Sequence, residues 1–336
     1  MAKQIISSLQ VFRGLAALAV VVHHAALSTD AFVYKLPVGW LRLFDLGALG
    51  VDFFFVLSGF IIMHAHKHEV GKPAAIKPYL VKQLARIFPA YWPIGLALLG
   101  VYAVFPSFSA SGGREFSYVS SLLLFPADSP PALSVAWTLV HELLFYAVFI
   151  LWFVSRRVFV LGLLMWAVLI LVGQAADGAT GWLRYPLSVL NLEFMLGVLA
   201  ATLYGQASVR FRPSIMVTTG GVLSIIMLLL LYAEVVGGHR LGLACGLAAL
   251  ILGLARWEQA RPIAWPSALL ALGHASYSIY LIHNPLLSVT QRLAGRFDMI
   301  WPLALLLGVL VSVAAGYVYF MGIERPASRV FRRWRK

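Results

Sequence analysis

Apolar runs of about twenty residues recur along the chain, separated by short polar or Pro/Gly-containing intervals. That is the length a helix needs to cross the hydrocarbon core of a bilayer. Within lipid, only helices and closed barrels satisfy their own backbone hydrogen bonds. The runs predict ten spanning helices, over 10–28, 44–63, 88–105, 134–154, 158–174, 187–204, 214–233, 241–255, 268–289 and 300–321. The fold class expected is all-α, a polytopic transmembrane bundle. The longest intervals are 64–87, which is basic, and 106–133, which is rich in Ser, Gly and Pro and is expected as an external loop. No fixed-period repeat interrupts the pattern. Residues 1–336 are expected to form one membrane domain without an appended soluble domain.

Composition agrees with this reading. Hydrophobic residues make up 61% of the chain and charged ones only 12%, against about 25% charged in soluble globular proteins. The net charge of +13 could suggest nucleic acid, but its distribution points to topology. With the N-terminus placed in the cytoplasm, 18 of the 26 Lys and Arg residues fall in inside segments and 7 in outside segments. The remaining one, Arg13, lies within the first span. This bias follows the positive-inside rule, with both termini cytoplasmic. The basic tail FRRWRK then anchors the last span. The first apolar run lacks a small-residue exit and contains Arg13, so a cleavable signal peptide is not expected. The single cysteine, Cys245, excludes an intramolecular disulfide and is expected to be buried in an apolar helix.

Against this apolar background the ionisable residues inside spans stand out, because each costs about 2.5–3.5 kcal/mol at the bilayer centre. Arg13 and His24 lie eleven residues apart in VFRGLAALAVVVHHAAL. Eleven residues make three helical turns plus about 20°, so both occupy one face, about 16 Å apart along the axis. His23 points elsewhere and is expected to pack or bond locally. With the topology above, His24, Asp52, Glu142, Glu193 and His283 all fall in the outer half, each on a different helix. Acids and histidines gathered inside a membrane suit a general acid/base site or a proton relay. Arg13, Lys82 and Arg86 fall at the cytoplasmic ends, where they suit an anionic cytosolic cofactor. Structural readings stand beside these: Asp52 pairing with a cation, His141 at the external interface, Glu193 as an interfacial carboxylate. His283 precedes Asn284-Pro285, where a broken helix lining a cavity is expected.

Taken together and in order, these segments resemble the acyltransferase-3 family of membrane acyltransferases that modify bacterial surface glycans. The family's Arg, ten residues, then His pattern is Arg13…His24. Its second-helix pattern is GVDFFFVLSGFII. Its W-S-L-x-x-E-x-x-F-Y segment runs from Trp137 to Tyr146, with Thr138 in place of serine. Its late S-Y-x-x-Y-L-x-H-x-P segment is SYSIYLIHNP, and its closing E-R-P is Glu324-Arg325-Pro326. One departure stands at the family's R-x-x-R-I-x-P: Gln83 replaces the first arginine, Arg86 keeps the second, and Lys82 is adjacent.

The resemblance implies transfer of an acetyl or other acyl group from acetyl-CoA to a hydroxyl of an extracytoplasmic or lipid-linked saccharide, at the bacterial cytoplasmic (inner) membrane. His24 would be the general base or a transient acyl carrier, and Glu142 would orient or charge-stabilise its imidazole. Asp52 and His283 would support the acceptor or a proton path. Arg13, Lys82 and Arg86 would meet the phosphates of coenzyme A. The expected partners are the saccharide acceptor, coenzyme A and the bilayer, with no nucleic acid and no metal. The rival reading is a proton-coupled transporter or flippase that uses the same acids and histidines. It lacks a repeated pair of broken spans, and the basic interval suits an anionic donor better.

Overall fold

The computed structural model describes residues 6–106, 115–175, 179–206, 212–234 and 239–333. Of the charges counted for topology, Lys3, Arg114, Arg210, Arg335 and Lys336 lie outside the described residues. Among those described there are no strands. The α-helices are α1 (Ser7–Phe32), α2 (Val38–Asp45), α3 (Gly50–His66), α4 (Ile76–Val104), α5 (Tyr118–Leu123), α6 (Trp137–Val154), α7 (Arg156–Ala175), α8 (Leu190–Tyr204), α9 (Pro213–Tyr232), α10 (His239–Ala260), α11 (Ser267–Arg296), α12 (Trp301–Tyr319) and α13 (Arg325–Arg333). Every predicted span has its helix, and the chain is an all-helical, multi-pass membrane protein. Eight helical segments among the described residues are long and apolar enough to cross a bilayer by length and composition. Two expected spans fall outside that group: α8 has 15 residues, and α11 has 30 but carries many polar side chains.

The helices form two compact units. The first comprises Met1–Ala65 and Leu192–Val318, and the second His66–Asn191 and Tyr319–Lys336. In the first unit, α1 and α11 run side by side in the same direction. A side chain on Gly14 would come within 2.7 Å of the Gly273 nitrogen, and one on Gly273 would collide with the Gln10 carbonyl. The missing Cβ atoms let the two backbones touch, as in small-residue packing of membrane helices. Helices α3 and α8 touch in the same way at Gly59 and Gly197, each against the other's backbone carbonyls. The first amides of α1, at Ser7 and Ser8, donate to the Glu258 carboxylate at 2.7 Å each. A carboxylate satisfies these otherwise unpaired donors and complements the helix dipole.

In the second unit, α4 starts twelve residues before the predicted span of 88–105. The reason is periodicity. Tyr79, Gln83, Ile87 and Ala90 form one buried stripe at helical spacing, so Lys82 and Arg86 ride on a helix and not in a loop. Two prolines, Pro89 and Pro93, are accommodated inside α4. Helix α6 runs antiparallel to α4: the Tyr79 hydroxyl donates to the Tyr146 carbonyl at 3.1 Å. The Trp152 indole donates to the His66 carbonyl at 2.9 Å. Rings of Tyr79, Phe149 and Phe153 pack between them. Glu324-Arg325-Pro326 falls where a π-helical turn, Phe320–Glu324, passes into α13. Such turns recur at functional sites.

Candidate functional site

The close glycine contact between α1 and α11 sets their register, and the register sets the first cluster. His24 lies ten residues beyond Gly14, and His283 ten residues beyond Gly273. The two imidazoles therefore arrive at the same level, with His283 Nε2 at 3.2 Å from His24 Nδ1. His24 Nδ1 also lies 3.0 Å from the Val20 carbonyl, and His283 Nδ1 lies 3.2 Å from the Ile279 carbonyl. Each ring is tied to the carbonyl one turn back on its own helix. His283 is fully buried, with the Tyr280 ring centroid 5.6 Å away. His24 is partly accessible. The helix does not break at Pro285, contrary to expectation: α11 continues to Arg296. One proline removes one backbone donor, which a packed membrane helix accommodates. Arg13 stands on α1 three turns before His24, half-buried. His23 faces Asp45, with Nδ1 3.3 Å from Oδ1.

A second cluster in the same unit is ionic. Asp52 in the first turn of α3 is fully buried, and Arg240 in the first turn of α10 grips it through two bonds, at 2.7 and 3.0 Å. Glu193 lies beside them, with Oε1 3.9 Å from Arg240 Nε. Glu193 is fully buried, which corrects its expected interfacial position. The contact of α3 with α8 at Gly59 and Gly197 carries both acids inward together.

The third cluster belongs to the second unit. Tyr146 donates its hydroxyl to Glu142 one turn earlier on α6. Arg86 Nη2 lies 4.0 Å from the same carboxylate oxygen. The expected separation of an inner Arg86 from an outer Glu142 thus fails. Because α4 begins at Ile76, Arg86 sits about 15 Å inside its helix. The Arg86 side chain stays 38% exposed beside a Glu142 that is 14% exposed, so part of the guanidinium faces outward from the pair. Lys82 lies one turn before Arg86, half-buried, and Gln83 is buried.

Two further expectations change. His141 is buried, not interfacial; its Nδ1 lies 3.2 Å from the Asn191 side-chain oxygen. Cys245 is exposed, not buried, because its neighbours Ala244 and Gly246 carry the packed face of α10. Among the described residues no group of three or more His, Cys, Asp or Glu side chains could hold a metal ion. Sequence reasoning missed Arg240, counted as an outside-loop charge, and gave no role to Tyr146. A signal for Arg240 existed: it opens a long apolar run, so a helix would draw it toward the bundle. His24 and His283 share one unit. Glu142 and Arg86 share the other.

Chemically, the first cluster offers a nitrogen base with a fixed imidazole neighbour, and the third a partly exposed cation beside a carboxylate. Residues 6–321 match the acyltransferase-3 family, described as an acyltransferase domain. The chain belongs to this family. Among relatives of this acyltransferase is the exopolysaccharide production protein ExoZ of Rhizobium meliloti (strain 1021), 31% identical over 305 residues, which cover 85% of this chain and 91% of that protein. The acyltransferase MdmB of Streptomyces mycarofaciens is 27% identical over 370 aligned positions, covering 98% of this chain and 93% of MdmB. Protein 2 in the picA locus of Rhizobium radiobacter is 30% identical over 161 residues, covering 42% of this chain and 78% of that protein. No solved structure matches. The protein is a multi-pass membrane acyltransferase.

Proposed function

We propose that this acyltransferase moves an acetyl group from cytosolic acetyl-CoA to a hydroxyl of an extracytoplasmic or lipid-linked saccharide. The observation that carries the chemistry is His24, a partly accessible imidazole held at 3.2 Å by a second, buried one. In this reading His24 takes the proton of the acceptor hydroxyl as its oxygen attacks the thioester carbonyl. The carbon–sulfur bond breaks, and the thiolate leaves as coenzyme A after receiving that proton. A transient acyl-His24 would divide the same transfer into two steps. Arg86 and Lys82 in α4 meet the donor's phosphates. The 38% exposure of the Arg86 side chain supports that role, because a planar guanidinium that reaches the surface can make charge-assisted bonds to phosphate. Glu142 lies beside Arg86 and steadies its guanidinium. Asp52 and His283 are supporting groups.

The saccharide acceptor draws support from the name of ExoZ, which ties that relative to exopolysaccharide production. The proposed location is the bacterial cytoplasmic membrane, with ten spans and both termini inside. The test compares glycan O-acetylation in cells with and without the intact protein, alongside thermal stabilisation of purified protein by coenzyme A. Loss of glycan acetyl groups and stabilisation are expected. Unchanged glycan acetylation together with no stabilisation would overturn the reading.

A further inference from the structure

We infer that His283 is the positioning residue for His24: it accepts the His24 Nδ1–H bond, fixes that tautomer, and makes Nε2 the atom that takes the proton or the acyl group. This rests on the proposed transfer only for its consequence in turnover. The tautomer follows from three contacts. A carbonyl oxygen can only accept, so His283 Nδ1, 3.2 Å from the Ile279 carbonyl, carries hydrogen. A neutral imidazole has one N–H, so His283 Nε2 is then an acceptor. His24 Nδ1, 3.2 Å from that Nε2, must donate. The same Nδ1 lies 3.0 Å from the Val20 carbonyl, which requires the same hydrogen independently. The opposite assignment, with His283 Nε2 donating, would leave two carbonyl contacts without a hydrogen. One Nδ1–H shared between an oxygen and a nitrogen is an ordinary three-centre bond.

The consequence is mechanistic. With hydrogen on Nδ1, the basic lone pair of His24 lies on Nε2. As Nε2 takes a proton or an acyl group, positive charge spreads over the ring and Nδ1–H becomes a stronger donor. The bond to His283 then strengthens in the transition state more than in the ground state, which is the condition for accelerating a step. His283 itself never touches substrate in this scheme. A buried neutral imidazole does here what a carboxylate does for a catalytic histidine elsewhere, without placing an unpaired charge in the bundle.

The test uses full-length protein in membranes or detergent, with histidine nitrogens labelled for NMR. In the wild type, His24, assigned by its loss in His24→Ala, is expected to be protonated on Nδ1. His283→Gln places an acceptor oxygen close to the position of Nε2 and is expected to keep turnover within a few-fold. His283→Phe keeps the ring shape, removes the acceptor, and is expected to lower kcat by roughly 10²-fold, the lower end of what losing a general base costs. The KM for acetyl-CoA should not move in either variant, whereas a merely structural loss would lower protein level and raise KM as kcat falls. A His24 protonated on Nε2 in the wild type overturns the inference, as does wild-type kcat in His283→Phe. Should the Phe variant fail to insert, the wild-type spectrum and the Gln variant decide. A wild type with the Nδ1 tautomer but no acetyl transfer overturns the proposed donor and acceptor, and supports the tautomer.

Discussion

The His24–His283 pair and the Asp52–Arg240 pair lie in one unit and face the same physical problem: a polar group in an apolar bundle must find a partner. They solve it in opposite ways. Asp52 receives a bidentate guanidinium at 2.7 and 3.0 Å, which neutralises its charge and fixes it in place. The two histidines are matched without net charge, each tied to its own helix carbonyl. Neutral pairing costs less to bury. The ionic pair is therefore expected to govern stability, and the imidazole pair turnover.

The largest effect that would sharpen this contrast is at His24. His24→Ala should leave the protein folded and inserted while transfer falls by about 10²–10⁴, measured as acetyl transfer onto the glycan and normalised to protein level. His23→Ala, whose ring faces Asp45, should keep substantial activity. Equal loss in both variants would remove the distinction. Next comes Arg240→Ala, expected to cost roughly 3 kcal/mol in stability, the lower end for breaking a buried pair, since the Arg240 side chain is 44% exposed. Its thermal transition should fall well below that of His24→Ala; matched transitions would break the comparison. Arg86→Ala should then weaken coenzyme A binding by about ten- to a hundredfold, since a bond to a charged group contributes about 1.5–3 kcal/mol. Lys82→Ala should weaken it less, as titration with coenzyme A would show. The smallest effect is expected at the exposed Cys245: Cys245→Ser should stay within about 0.5 kcal/mol of the wild type in thermal unfolding, with activity retained.

Much of the fold was legible because bilayer thickness and backbone satisfaction leave few choices: apolar length alone located the helix of every span. Boundaries were less legible. Hydropathy stops at Lys82 and Arg86, whereas α4 carries them on one side and buries Tyr79, Gln83 and Ile87 on the other. The candidate residues were legible as types, because an ionisable group inside a span is costly enough to be conspicuous. Their partners were not. Arg240 is indistinguishable from a loop cation until α10 is packed. Glu193 reads as interfacial until α8 seats at Gly59.

What the sequence determined by itself was therefore local and periodic. It set the multi-pass helical class, the shared face of Arg13 and His24, and the residue types able to carry acyl transfer. The tertiary structure decided which of those residues meet. His24 faces His283 across 259 positions of chain because two glycines let α1 and α11 touch in one register. Arg86 reaches Glu142 because α4 and α6 run antiparallel. Helical periodicity acts over a few turns of one segment, whereas register between helices depends on where small residues let two distant backbones meet, and that is settled only when the bundle packs.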